Sequence, residues 1–285
     1  MMVDLIKNMY NQLVRSAHTK KVDRINKKWI KEQNGIYKIQ EIEIETINRC
    51  NGTCSFCPVN ANACQRSYAK MSDELFRKII EDLKSMDYRG YVSLFSNNEP
   101  FLDSRIIDMH KYCYEMLPNA KHRLYTNGSL LSLDRFLEII PYLDVLHINN
   151  YNDNMEVNPQ VKDVYDYINE HTEYKKKVQF VFRKQTEILL SRAGQAPNKQ
   201  GTTYLDQMCL LPFRMMIVRP DGKVSLCCND ALGKYTLGDL NIQTVEEVWN
   251  SKQFNGIREK LINDGRKNLH LCNACDSESS PMEVI

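Results

Sequence analysis

Between residues 41 and 185 the hydrophobic positions switch repeatedly between two periods. "EIEIETIN", Glu41 to Asn48, alternates at every second residue and predicts a strand. "SDELFRKIIEDLKSMD" opens on Ser72 and sets Leu75, Ile79, Ile80 and Leu83 on one face, which predicts a capped helix. "GYVSLFSN", "HRLYTNG", "DVLHINNYN" and "KVQFVFRKQ" predict further strands. "DSRIIDMHKYCYEML", "SLDRFLEIIPYL" and "NPQVKDVYDYINEH" predict the helices between them. Strands separated by helices of this length imply right-handed βαβ units and a parallel sheet.

The flanks follow other patterns. Before residue 41, Leu5, Met9, Leu13 and Val14 recur at helical spacing in a segment that also carries Lys20, Lys21, Arg24, Lys27, Lys28 and Lys31. This reads as a solvated helix packed on the body. After residue 200, "FRMMIVRPDGKVSLCCND" sets two apolar runs around Asp221-Gly222, a hairpin signal. "VEEVWNSKQFNGIREKLI" then predicts one helix, and "LCNACD" lies near the end. The boundary falls in the Gly- and Pro-bearing "SRAGQAPNKQGTTYLDQ". Three parts are expected: a helical extension over 1–40, an α/β body over 41–200 and a small α+β module over 201–285. Five strands of the body are clear, and a sixth is expected in "EILLSR" or at the start of the tail.

Composition narrows the chemistry. The 285 residues are 42% hydrophobic with a net charge of +2, which gives no electrostatic case for nucleic-acid binding. No apolar run approaches the ~20 residues of a membrane span. Asp4 and repeated polar residues interrupt the start, where a signal peptide needs an apolar core. A cytoplasmic protein is expected, and in that reducing compartment ten cysteines point to metal or redox chemistry rather than disulfides. Nine of them fall into two sets. Cys50, Cys54, Cys57 and Cys64 are early, and Cys209, Cys227, Cys228, Cys272 and Cys275 are late.

Cys50, Cys54 and Cys57 have the spacing Cys-x3-Cys-x2-Cys directly after the first strand, where parallel α/β folds carry reactive groups. Three thiolates can hold three irons of a [4Fe–4S] cubane and leave the fourth open, whereas structural zinc wants four ligands. Cys64 could be a fourth, at a loose six-residue gap. Asn51-Gly52 lets the loop turn tightly, and Phe56 can shield a cluster. In the tail, Cys209, Cys227, Cys272 and Cys275 can converge on one four-thiolate site, either [4Fe–4S] or zinc.

The first motif resembles that of the radical S-adenosylmethionine (radical SAM) enzymes, and further stretches agree with that family over roughly residues 41 to 195. "SNNEP", Ser96 to Pro100, is similar to the family's Gly-Gly-Glu-Pro turn. Glu99 and Pro100 match, while Asn97 and Asn98 replace the glycines. The resemblance implies that Glu99 contacts the methionine amine of SAM. It places Thr126 and Asn127 of "YTNG" near the SAM site and Asn149 at the ribose. Arg183 would pair with the SAM carboxylate through a bidentate fork. The implied fold is a partial (β/α)6, TIM-like barrel. The tail resembles the SPASM/twitch extension in its single-cluster form, which implies an auxiliary [4Fe–4S] cluster. A fully ligated cluster suits electron transfer better than substrate binding. The resemblance also implies an electron donor such as a flavodoxin or ferredoxin.

Three activities follow from the family. The first is a dehydrogenase acting on a polyol, sugar or aminocyclitol-like molecule, with Arg192 at the substrate hydroxyl, as in related short-form dehydrogenases, and the auxiliary cluster taking an electron. The second is an epimerase, with Cys228 returning hydrogen; Cys228 is otherwise a small buried residue beside the cluster. The third is a peptide-modifying enzyme. A non-catalytic zinc or iron–sulfur module would explain the cysteines but not the order of Glu99, Thr126-Asn127 and Asn149 along the strand ends.

Overall fold

The computed structural model describes residues 2–62, 65–199 and 205–281, with side chains from residue 17 onward. The apolar positions Leu5 to Val14 and the thiol of Cys64 lie outside the described side chains.

The alternating segment forms five strands: β1 (Glu41–Ile44), β2 (Tyr91–Ser93), β3 (Lys121–Thr126), β4 (Val145–Tyr151) and β5 (Val178–Arg183). The helices between them are α2 (Asp73–Ser85), α3 (Ile106–Met116), α4 (Leu133–Ile139) and α5 (Lys162–Glu170); α1 (Met2–Glu32) precedes β1. Ser72 caps α2 by accepting a bond from the Leu75 N–H at 3.2 Å. The buried face of α2 carries Leu75, Phe76, Ile79, Ile80 and Leu83, each worth about 1.5–3 kcal/mol relative to exposure.

Three strands extend the sheet from the tail. Residues 187–190 form no strand, and the sixth parallel strand is β6 (Met215–Val218), which follows the single turn α6 (Leu211–Arg214). It pairs with β1, not β5, over Glu41↔Met215 to Ile44↔Val218. β7 (Lys223–Ser225) and β8 (Thr236–Asp239) continue antiparallel, giving the order β5-β4-β3-β2-β1-β6-β7-β8. The Asp221-Gly222 hairpin forms as expected, with Gly222 at φ +81°. The single helix expected after it is broken into α7 (Val245–Trp249) and α8 (Lys252–Asp264), because Ser251 accepts from the Phe254 N–H and starts a new helix.

The period-two pattern sorts the strand faces. Ile42 and Ile44 of β1, with Val92, Leu124, Leu146 and Ile148, are fully buried in the hydrophobic core. The intervening positions carry Glu41, Glu43, Arg123, Tyr125 and His147, so the other face of the sheet is polar yet largely buried. Arg123 pairs with Glu41 there, and Tyr125 stacks on His147 with ring centroids 4.2 Å apart. α1 buries Val22, Asn26 and Ile30. Asn26 donates to the Ser279 carbonyl at 2.8 Å, and Asp23 accepts from the Met208 N–H at 3.3 Å. Among the described residues, no helix is long and apolar enough to cross a membrane.

Candidate active site

Because β1 to β5 run parallel, their carboxyl ends share one edge of the sheet. The loops leaving that edge enclose a cavity with about 730 Å³ of empty space, the open solvent at its mouth included. Cys50, Cys54 and Cys57 form part of its wall. Phe56, Glu99, Thr126, Asn127, Asn149 and Arg192 also line it. Tyr151, which packs on Phe56 at 5.6 Å, lines it as well. Nothing in its residue type singled Tyr151 out, but it shares a strand face with Asn149, two positions earlier.

The donors around the first thiols come from two loops. The Gly52 N–H donates to the Cys50 sulfur at 3.3 Å, and the Asn127 amide reaches the same sulfur at 3.9 Å. Asn127 also donates to Asn51 at 2.9 Å. Burial pushes the Cys50 and Cys54 thiols up to about 12, so the metal-free thiols hold their protons at neutral pH and iron must displace them. Three soft thiols on one cavity wall, with N–H donors aimed at sulfur, fit a cubane bound through three of its irons. Among the described residues, no three His, Cys, Asp or Glu side chains close on a single-ion site.

Glu99 ties two strand ends together. Its carboxylate accepts from the Thr126 hydroxyl at 2.7 Å, the Asn127 N–H at 2.7 Å and the Phe101 N–H at 3.1 Å. Burial raises it to about 7 against the pull of those three donors. Gly128 follows at φ +77°, and a Cβ there would lie 3.1 Å from Ile148. The asparagines that replace the family glycines have bonds of their own. The Asn97 N–H donates to Glu45 at 2.8 Å and its amide to the Cys228 carbonyl at 3.2 Å. The Asn98 side chain accepts from the Ser96 N–H at 3.0 Å.

Arg192 bridges body and tail. It donates to Asn97 and, at 2.8 Å, to the carbonyl of Cys228, next to Cys227. Arg183 is not among the cavity-lining residues; it pairs with Glu187 at 3.5 Å on the strand beside the site. The Cys228 thiol is also not among the lining residues, and burial pushes it up to about 12, with the nearby Glu43 acting in the same direction.

The tail thiols are enclosed. Cys209, Cys227, Cys272 and Cys275 are each 7–8% exposed. The Ser279 hydroxyl donates to the Cys209 sulfur at 3.6 Å and the Ser277 N–H to Cys275 at 3.4 Å. Arg266, 1% exposed, donates to the Cys275 carbonyl at 3.3 Å and lies within electrostatic reach of all four sulfurs. Sequence reasoning passed over Arg266, because one arginine in "DGRKN" carries no local signal. Four buried thiols beside a buried cation suit a cluster that carries net negative charge when ligated by thiolates.

The radical SAM superfamily model matches residues 44–183, and the iron–sulfur cluster-binding SPASM domain matches 209–276. This chain belongs to the radical SAM enzymes. Its cofactors are accordingly SAM and [4Fe–4S] clusters. Among its relatives is the S-adenosyl-L-methionine-dependent 2-deoxy-scyllo-inosamine dehydrogenase of Niallia circulans, 26% identical over 245 residues, covering 85% of this chain and 94% of that protein. The putative protein YfkA of Bacillus subtilis is 28% identical over 128 residues, covering 42% of this chain and 31% of that protein. Among solved structures, BtrN in complex with AdoMet and 2-DOIA superposes with a TM-score of 0.75 at 24% identity, covering 85% of this chain and 95% of that one. Native anSMEcpe with bound AdoMet gives 0.54 at 14% identity, covering 85% and 92%. These likenesses establish the radical SAM fold with a C-terminal SPASM domain.

Proposed function

We propose that this radical SAM enzyme is a dehydrogenase that oxidises a secondary alcohol of a small polyol or aminocyclitol to a ketone. The observation that carries the proposal is the position of Arg192. It lines the cavity with Cys50, Cys54 and Cys57 and bonds the carbonyl adjoining Cys227. A substrate held there lies between the two thiol sets. The relatedness to a 2-deoxy-scyllo-inosamine dehydrogenase along most of both chains supports the same class of substrate.

In this reading Cys50, Cys54 and Cys57 hold the first cluster, and Cys209, Cys227, Cys272 and Cys275 hold the second. When bound, these groups supply a 5′-deoxyadenosyl radical that takes hydrogen from the carbinol carbon and a second centre that accepts one electron. The protein orients and excludes. Glu99, Thr126, Asn127 and Asn149 contact SAM, and Phe56 with Tyr151 keeps water from the first cluster. Arg192 donates to the substrate hydroxyl and stabilises its oxygen as the hydroxyl proton passes to water at the open mouth of the cavity. Arg183, from its place beside Tyr151, approaches the SAM carboxylate after a side-chain rotation away from Glu187. The electron donor is a small acidic redox protein such as a flavodoxin or ferredoxin, and the enzyme works in the cytoplasm.

Anaerobic turnover of 2-deoxy-scyllo-inosamine tests the proposal: a ketone should form with one 5′-deoxyadenosine per product. A product of the substrate's mass in ordinary water that carries one deuterium after turnover in deuterated water would identify an epimerase instead, and Cys228→Ala would then abolish the deuterium uptake.

A further inference from the structure

The segment that carries Arg192 is bound to both thiol sets. Asn198 donates to the hydroxyl of Ser55, between Cys54 and Cys57, at 3.1 Å. At its other end Ser191, fully buried, donates from its N–H and its hydroxyl to one carboxylate oxygen of Asp276, each at 2.8 Å. The second oxygen of Asp276 pairs with Lys199 at 2.7 Å. The Ser191 hydroxyl also reaches the Ala274 carbonyl at 3.1 Å. Asp276 directly follows Cys275.

Between these anchors the backbone is left-handed at three successive residues: Arg192 at φ +51°, Ala193 at +55° and Gly194 at +75°. Two of them have side chains, for which this conformation is unfavourable, so the surroundings must enforce it. Gly194 sits against the tail, where a Cβ would lie 3.1 Å from that of Ala274. The strained turn directs Arg192 back to Asn97 and the Cys228 carbonyl.

We infer that Asp276 is a positioning residue: from its place after Cys275 it clamps Ser191 and holds the strained turn that aims Arg192 into the cavity. The loop that ligates the auxiliary cluster and the arginine that meets substrate are one mechanical unit. The inference rests on the role given to Arg192 above.

Reconstituted holoenzyme allows a test that needs no substrate. Modification of Arg192 by phenylglyoxal, followed by peptide mass spectrometry, reports its restraint, while iron and sulfide content with EPR reports both clusters. Asp276→Ala should keep both clusters and speed Arg192 modification about tenfold, the scale of losses on removing an outer-shell partner. Asp276→Asn keeps an acceptor for the Ser191 N–H and should remain close to wild type. Ser191→Ala, a milder change, should move in the same direction as Asp276→Ala. With 2-deoxy-scyllo-inosamine as probe, Asp276→Ala should raise KM and the number of 5′-deoxyadenosine molecules spent per product. Combined with Arg192→Ala it should add nothing, because the two act as one unit. Unchanged Arg192 modification with both clusters present would overturn the inference. Loss of auxiliary-cluster iron in Asp276→Ala would also overturn it, by making Asp276 a support of the cluster itself. Faster modification in Asp276→Ala alongside normal turnover in Arg192→Ala would uphold the clamp and refute the substrate role of Arg192.

Discussion

The two thiol sets have similar ligand chemistry and opposite surroundings. The first lies in a loop on a cavity wall, with Cys50 and Cys57 half-buried and the strand-end turns around it facing the same space. The second is assembled from three distant stretches and is buried throughout, beside the cation of Arg266. Access therefore separates them more than ligand type does. On the proposed function, the first meets a small molecule and the second passes charge without meeting one.

The largest effects should come from removing one thiol from each set. Cys54→Ala should abolish 5′-deoxyadenosine formation under dithionite and lower the iron content by one cubane. Cys227→Ala should retain SAM cleavage while ketone formation disappears. Chromatography of nucleosides beside iron analysis checks both, and equal loss of SAM cleavage in the two variants would break the contrast.

A second effect follows from the buried carboxylate between the sets. Burial raises Glu43 to about 7, against a bond with Ser96 and the attraction of Arg192. For an acid whose folded value lies above its unfolded one, the stabilisation is present below about pH 4.5 and is lost as pH rises through 7. The loss amounts to about 3 kcal/mol. Metal-free Glu43→Gln should therefore lose less Tm than wild type between pH 5 and pH 8 in calorimetry. Parallel curves would show that Glu43 does not carry this term.

Smaller again, Arg266→Met should make the auxiliary cluster harder to reduce. A nearby buried charge is worth about 2 kcal/mol at an effective dielectric near 20, which exceeds the 59 mV of a tenfold one-electron shift. EPR-monitored redox titration should find the auxiliary potential more negative and the first cluster unmoved. Smallest of all, Gly128→Ala should cost about 1–2 kcal/mol, from the left-handed backbone and the close Ile148 methyl. Urea denaturation reads this loss, and SAM cleavage should survive it.

Much of the first site was legible in sequence because its parts are local. Cys50 to Cys57, Glu99, Thr126-Asn127 and Asn149 each sit at the end of a strand whose period-two pattern announced it, and a parallel sheet gathers strand ends by construction. The second site was legible only as four cysteines. Its convergence depends on how a hairpin, two helices and the terminal segment pack, and the burial of Arg266 or the bonds of Asp276 leave no periodic trace. Arg183 ends the strand where it was expected, and its partner Glu187, four residues on, was not legible from position. The sixth strand lies at the start of the tail, one of its two expected places, but no local pattern in "MMIV" tells that it will join the β1 edge.

That edge bears on how such proteins can be taken apart. With β6 seated on β1, the tail supplies the neighbour that satisfies the β1 backbone on its outer side. A fragment ending before residue 215 would present that side of β1 as a bare hydrogen-bonding edge, a template for self-association. Exchanging auxiliary-cluster tails between relatives would then succeed only if the cut leaves β6 with the barrel. The piece that looks like an appendage is also the last stave of the vessel it serves.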